Sequence, residues 1–416
     1  MAEPEQTQAG DSPTDQKPTV SVIVPVHGGG EAFGLCLASL SRLDPPADEI
    51  IIVADGDDRS AEQAERFCFT VIRQDRRTGP AAARNSGARH ARSDILLFLD
   101  ADVTVPPDTV ATVLAAMTGG TDAICGSYDD APAAGNFLSQ YKNLFHHYVH
   151  QTARGQGSTF WAACGAIRRE AFLAVGGFDE AYTRPCVEDI ELGYRLRLAG
   201  RTIRFCKALQ VKHYKKWTVG SLLKSDFFDR ALPWTELILS RRQLVNDLNL
   251  RTAARVSVVL THAMLLCLVA AVWRPILLAL AAALLVINIR LYGFFYRRRG
   301  LWFALGCIPW HWLYYLYSGL GFAAGLAMHL FGRWRPRRAE QPGDLRISQG
   351  RMSRAPQSRS IAIGGGPHGK TLICGAQCSH HWCRTGRPGG RRGAHPERRA
   401  ARGAGEGRRG RRPGPH

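Results

Sequence analysis

The chain has 416 residues, enough for two or three domains of roughly 100–200 residues each, and a formal net charge of +19. From Arg333 onward there are 20 Lys/Arg against 4 Asp/Glu, which leaves 34 against 31 for residues 1–332. A body this close to neutral speaks against nucleic acid as a partner. The scattered cysteines, with no paired spacing in the first 332 residues, speak against a zinc ribbon and for free thiols in a reducing compartment.

Residues 1–18 are polar and proline-containing, with no apolar stretch, and predict a disordered lead-in rather than a signal peptide; the amino-terminal half is expected in the cytosol. Next come four near-continuous apolar runs of strand length: VSVIVPV (20–26), EIIIVA (49–54), FTVI (69–72) and DILLFL (94–99). Such runs predict strands buried on both faces. Helix-like segments separate them at 31–43, 60–67 and 80–91, the last opening with a proline suited to a first helical turn. Strands alternating with helices predict an α/β fold with a parallel sheet, whose ligands bind at the carboxyl ends of the strands.

The fourth run reads ILLFLDADV and ends in two carboxylates, Asp100 and Asp102, while Asp55 ends the second. Residues two apart on a strand point the same way, so Asp100 and Asp102 are placed to share one hard cation, Mg²⁺ or Mn²⁺. Asp100 as a simple cap of the following helix is the alternative.

Taken together, SVIVPVHGG, IIVADGDD, GPAAARNSGARHARSDILLFLDADV, GGFDE (176–180) and VEDIELGYRLRLAG (187–200) resemble the family 2 glycosyltransferases over about residues 19–230. The resemblance implies a GT-A catalytic domain, Rossmann-like with a mostly parallel sheet. It also implies a nucleotide-diphosphate sugar donor, a divalent metal at the D-x-D and inversion at the anomeric carbon. By the same resemblance Asp102, helped by Asp100, holds the metal, while Pro25, His27, Asp55, Arg84 and Asp100 line the nucleotide sugar. The segment Ala54-Asp55-Gly56-Asp57 departs from the family's D-D-G-S. His27 stands where a tyrosine is common, and either stacks on the base or is a loop histidine without contact.

Asp189 in VEDIEL matches the general base, at the start of a helical pattern whose dipole favours the ionised form; Glu188 orients the acceptor. Trp161, Gly165 and Asp179 fall in the region that shapes the acceptor pocket. His213, 24 residues past Asp189, is a further metal ligand or a structural histidine. Lys215, Lys216 and Trp217 match the Q-x-x-R-W of processive synthases only loosely. A polysaccharide-chain synthase and a non-catalytic membrane scaffold that keeps the fold are the rival readings.

Apolar runs at 256–272, 275–289 and 301–331 approach or exceed the ~17–25 residues of a spanning helix. Trp302, Trp310, Trp312, Tyr314, Tyr315 and Tyr317 suit an interfacial belt. Arg251, Arg255 and Arg297 to Arg299 favour the cytosolic side. The expected organisation is therefore a disordered 1–18, a catalytic domain at 19–250, a membrane region of two to four helices at 251–332, and a disordered basic tail at 333–416. That describes a multi-pass protein of the cell membrane with a cytoplasmic catalytic domain and a lipid or glycan acceptor.

The tail contains IAIGGGPHGKT (361–371), which fits both G-x-x-x-x-G-K-T and G-x-G-x-x-G. It is followed by CGAQCSHHWC and a Gly/Arg/Pro-rich run, with none of the α/β surroundings that a phosphate loop needs. The segment resembles the first strand and turn of an FAD-dependent oxidoreductase, read through and then out of frame. Cys374, Cys378, His380, His381 and Cys383 match no common zinc spacing.

Overall fold

The computed structural model describes residues 17–270, 274–332 and 371–372. The lead-in up to residue 16, the glycine-rich stretch before Thr371, the Cys/His cluster at 374–383 and the basic run to the end lie outside the described residues.

Among the described residues nine strands form one sheet. They are β1 Val20–Val26, β2 Glu49–Asp55, β3 Thr70–Gln74, β4 Ile95–Leu99, β5 Val103–Thr104, β6 Ala123–Tyr128, β7 Cys164–Arg168, β8 Ile203–His213 and β9 Thr371–Leu372. Their order is β5-β8-β6-β7-β4-β1-β2-β3-β9. The first four are all parallel, with β1 between β2 and β4 and β3 outside β2, in keeping with the four apolar runs. Val22, Ile23 and Val24 of β1 are fully buried. Each such side chain contributes roughly 1.5–3 kcal/mol on burial, which accounts for the continuous hydrophobicity of these strands.

The second half of the sheet is mixed, not parallel. β7 runs antiparallel to both β4 and β6, β8 runs parallel to β6, and β5 pairs antiparallel with β8. Two of these pairings build the site. Leu99 stands opposite Cys164, and Asp100 N–H donates to the Ala163 carbonyl, so the chain from Trp161 to Cys164 runs beside the end of β4. Val103 stands opposite His213, and Tyr214 N–H donates to the Asp102 carbonyl, which brings residues 102 and 213 together across 110 positions of sequence.

After β8 the chain turns wholly helical. Thr218 and Ser221 cap the helix Val219–Lys224 reciprocally, and it continues into a seven-residue π-helix, Ser225–Ala231, and then the helix Leu232–Arg241. Four helices follow: Thr252–Val269, Arg274–Ile287, Ile289–Arg299 and Leu301–Leu330. The last two share a hydrophobic core with the helix Phe137–Gln151 through Tyr141, Leu144, Phe145, Leu291, Phe295 and Cys307. Buried Asn288 donates to Ser257 Oγ at 3.1 Å and accepts from Tyr315 O–H at 2.9 Å, tying three helices together by hydrogen bonds within an apolar setting.

Among the described residues one helix, Thr252–Val269, is long and apolar enough to cross a membrane. The pair Arg274–Ile287 and Ile289–Arg299 reaches that measure only jointly, across a 64° bend. The sequence expectation of three comparable runs in a multi-pass protein is thus reduced to one straight helix and one bent pair, and multi-pass crossing is not supported. The 30-residue helix Leu301–Leu330 has the length, but its histidines, tyrosines and tryptophans lower its hydropathy, and Pro309 lies inside it. Val259, Leu266, Leu268, Val269, Leu278 and Val286 are each more than 60% exposed, a concentration of apolar surface that marks an interaction face.

Candidate active site

The carboxyl ends of β1, β2 and β4 form one rim, as the parallel topology requires. Asp55 is almost fully buried there. Its Oδ1 accepts from Thr78 N–H at 2.5 Å and Thr78 Oγ1 at 2.9 Å, and its Oδ2 accepts from Gly79 N–H at 2.9 Å. Both oxygens therefore hold the turn that launches the helix Pro80–His90. His27 is exposed at the rim, its Nδ1 2.8 Å from the Asp55 carbonyl oxygen. Pro25 is half-buried within β1, opposite Val53. Asp57, where the family pattern has serine, accepts from Gly28 N–H at 2.6 Å and caps the helix Asp58–Glu65. The Ser60 hydroxyl bonded to it holds its carboxyl below the usual range.

Arg84 is buried between two carboxylates. Its guanidinium donates to Asp100 Oδ1 at 2.8 Å and to Glu188 Oε1 at 3.0 Å, joining the end of β4 to the start of the helix Glu188–Leu198. Asn85, the next residue, donates to the Phe178 carbonyl and the Glu180 carboxylate and accepts from Phe178 N–H, which fixes the GGFDE segment. Burial raises the Asp100 pKa, with Arg84 opposing the rise. Asp102 lies within 3.5 Å of His213 Nε2 and is about one-third exposed. Burial works against its charge, but the bond to His213 and the charges of His213 and Lys215 win and hold it below the usual range. The His213 ring stacks on Tyr128 at 4.0 Å and 7°.

Asp189 stands at the start of its helix, where Oδ1 accepts from Ile190 N–H at 2.8 Å and Oδ2 from Ala162 N–H at 3.2 Å. The helix start predicts an ionised group, yet burial and then the charge of Glu188 raise its pKa from 3.8 to about 7, against Arg84 and the Ala162 amide. Desolvation thus outweighs the helix terminus. Glu188 is itself buried, between Arg84 and Cys186 N–H at 2.8 Å. Asp189 and His213 line the same cavity of about 90 Å³, with Trp161, Tyr128, His146 and His150 in its wall.

Residues 21–176 match the family model described as glycosyl transferase family 2. They form a family 2 glycosyltransferase domain. A validoxylamine A glucosyltransferase of Streptomyces hygroscopicus subsp. limoneus is 30% identical over 229 residues, covering 45% of this chain and 49% of its own. A pre-mycofactocin glycosyltransferase of Mycobacterium tuberculosis is 29% identical over 206 residues, covering 47% of this chain and 42% of its own. The chain spans about half the length of these curated relatives. A mannosyltransferase from Pyrobaculum calidifontis, solved in complex with GDP-Man and Mn²⁺, superposes with a TM-score of 0.49 at 18% identity, over 77% of this chain and 90% of its own.

Two of the three expected acceptor residues do not line the cavity. Gly165 lies inside β7, where a Cβ would come within 2.4 Å of the Trp161 carbonyl oxygen and 2.7 Å of the Phe160 ring, so its smallness serves packing. Asp179 accepts from Ala181 N–H at 2.9 Å in a local turn and does not line the cavity. Trp161 does, meeting Tyr128 at 4.9 Å and His146 at 4.6 Å. The sequence reading missed Lys142, His146 and His150, although their i, i+4, i+8 spacing on one helix was the available signal. Burial keeps His146 neutral and lowers His150 to about 4.

Among the described residues no group of three or more His, Cys, Asp or Glu side chains converges as a metal site. Asp102 and His213 together offer one carboxylate and one imidazole. That set suits a cation that takes its other ligands from phosphates and water.

Proposed function

We propose that this chain is a membrane-associated, inverting glycosyltransferase that moves a sugar from a nucleotide-diphosphate donor to the hydroxyl of a lipid or lipid-linked acceptor. The observation that carries the reading is one cavity lined at once by Asp189, with a pKa near neutrality, and by His213, the partner of Asp102. A group that is half ionised near pH 7 is well matched to accept a proton during attack.

In this reading the acceptor O–H gives its proton to Asp189 as the acceptor oxygen forms a bond to the anomeric carbon. The bond from that carbon to the diphosphate breaks with its electron pair leaving on the diphosphate. A single displacement inverts the centre. Asp102 and His213, helped by Asp100, would hold Mg²⁺ or Mn²⁺, which neutralises charge on the departing diphosphate. Glu188 and Arg84 position the neighbourhood of the base, and His27, Pro25 and the turn held by Asp55 shape the nucleotide side.

The exposed apolar helices support membrane association, and Arg298 and Arg299 favour a cytosolic catalytic domain. Arg298 pairs with Asp130 at 2.6 Å, and Arg299 donates to the Asp130 carbonyl and to Gln140. These basic residues thus lie on the catalytic side. The test is a thermal-shift screen of nucleotide-diphosphate sugars with and without Mn²⁺, followed by transfer from the stabilising donor into membrane lipid extract. Metal-dependent stabilisation and a labelled lipid product are expected. Absence of any donor-dependent shift refutes the reading.

A further inference from the structure

A second, larger cavity of about 630 Å³ lies among the helices Leu232–Arg241, Thr252–Val269 and Leu301–Leu330. Its volume falls within the ~300–1,000 Å³ of ordinary small-ligand sites. Ile238, Val258, Val259, Ala263, Leu266 and Phe322 give it apolar walls, and Val259 and Leu266 also belong to the exposed apolar surface. It shares Lys142, Arg230, Trp234 and Asn249 with the cavity that contains Asp189, so the two meet at a charged junction.

The π-helix Ser225–Ala231 brings Asp226 and Arg230 to that junction; π-helical turns are frequent at functional sites. Asp226 is already satisfied. It pairs with Lys142 Nζ at 2.5 Å and accepts from Tyr317 O–H at 2.6 Å. Arg230 differs. Arg230 is exposed, and among the described residues no hydrogen bond or ion pair occupies its guanidinium, which feels the charges of Asp226 and Asp189. An open arginine set between an apolar groove and Asp189 suits an anionic group with an apolar chain attached.

Resting on the glycosyltransferase reading above, we infer that the acceptor is a lipid with a phosphate-ester headgroup. Its alkyl chain lies in the groove between the C-terminal helices, its phosphate is held by Arg230, and its hydroxyl faces Asp189. Arginine suits this role because its planar fork binds phosphate oxygens bidentately. The groove adds affinity by chain length, each buried methylene being worth up to roughly fourfold.

The test uses the full chain in non-ionic detergent, with decyl phosphate as probe and 1-decanol, hexyl phosphate and inorganic phosphate as controls, titrated by native mass spectrometry. Decyl phosphate should bind one to one, at least about tenfold tighter than each control. Arg230→Gln should lose about tenfold or more of that affinity, Arg230→Lys should keep part of it, and Ala263→Phe, which fills the groove, should weaken the decyl but not the hexyl ester. Thermal unfolding of each variant shows that it is folded. Equal binding of decanol and decyl phosphate, or unchanged affinity in both Arg230→Gln and Ala263→Phe, overturns the inference. Metal-dependent donor binding measured in parallel separates the two claims. A donor that binds while decyl phosphate does not leaves the glycosyltransferase reading intact and removes the lipid site. Arg230-dependent decyl phosphate binding without any donor binding does the reverse.

Discussion

Asp189→Asn separates chemistry from stability, because the burial that would tune Asp189 as the proposed base also makes its charge costly. Its pKa is raised from 3.8 to about 7, and a rise of that size corresponds to about 4 kcal/mol at most between the two protonation states. A folded pKa above the unfolded one means that the group's contribution to stability is whole below about pH 3.8. It is lost as pH rises to about 7, and the loss then levels off. Asparagine cannot ionise, and its single oxygen serves one of the Ala162 and Ile190 amides while its NH2 faces the other. Relative to the parent, the variant should therefore gain stability by a margin that opens between pH 4 and 7 and stays constant above, set against a pH-independent loss of about 1 kcal/mol for the missing bond. Melting curves at pH 5, 6, 7 and 8 read this directly.

Turnover should move the other way. Loss of a general base usually costs about 10²–10⁴-fold, and here it should appear in kcat while donor affinity stays within a few-fold. In the parent, kcat/KM should fall about tenfold per pH unit below 7, since only the ionised carboxylate accepts a proton. The assay is release of nucleoside diphosphate from the donor that stabilises the protein most. Near-parental turnover by the asparagine variant, or a flat kcat/KM between pH 5.5 and 8.5, would refute the assignment of the base.

Three other expectations follow from the same geometry. Asp102→Ala should abolish Mn²⁺-dependent donor binding in calorimetry, and His213→Ala should weaken it, because the two side chains are 3.5 Å apart at one point on the rim; unchanged titrations in both would remove the metal assignment. Arg84→Met should lower stability in urea melts by about 3–5 kcal/mol, since it leaves Asp100 and Glu188 without their shared cation, while Arg84→Lys should fall between. Gly165→Ala should cost about 1–3 kcal/mol by overpacking against Trp161 and Phe160 and should shift tryptophan emission; an unaltered melt and spectrum would show that the sheet yields there.

The parallel half of the sheet was legible because β1, β2 and β4 are mostly apolar and mostly buried, with Ser21 the polar residue inside β1. VSVIVPV, EIIIVA and DILLFL differ from the strands β1, β2 and β4 by a residue or less at each end. The mixed half was not, since β6, β7 and β8 are placed by pairings that no local pattern encodes. Those pairings decide the site. His213 was only one of two readings in the sequence, and the antiparallel register of β5 on β8 is what brings it to Asp102. Asp189 was legible by position and misjudged in charge, because the helix start is visible in the sequence while the burial of Glu188 beside it is not. Gly165 and Asp179 are motif residues whose visible contacts are tight packing and a local turn.

Arg84 explains how one buried region tolerates so many carboxylates. Asp100, Glu188 and Asp189 all act on it electrostatically, and a single guanidinium cannot neutralise three acids. The shortfall falls on Asp189, which has no direct bond to Arg84 and is held by backbone amides alone. Its pKa is raised first by burial and then by the charge of Glu188, with Arg84 opposing both. Asp189 thus neighbours an acid that is tied to the end of β4 through one arginine, which spans 2.8 Å to Asp100 and 3.0 Å to Glu188.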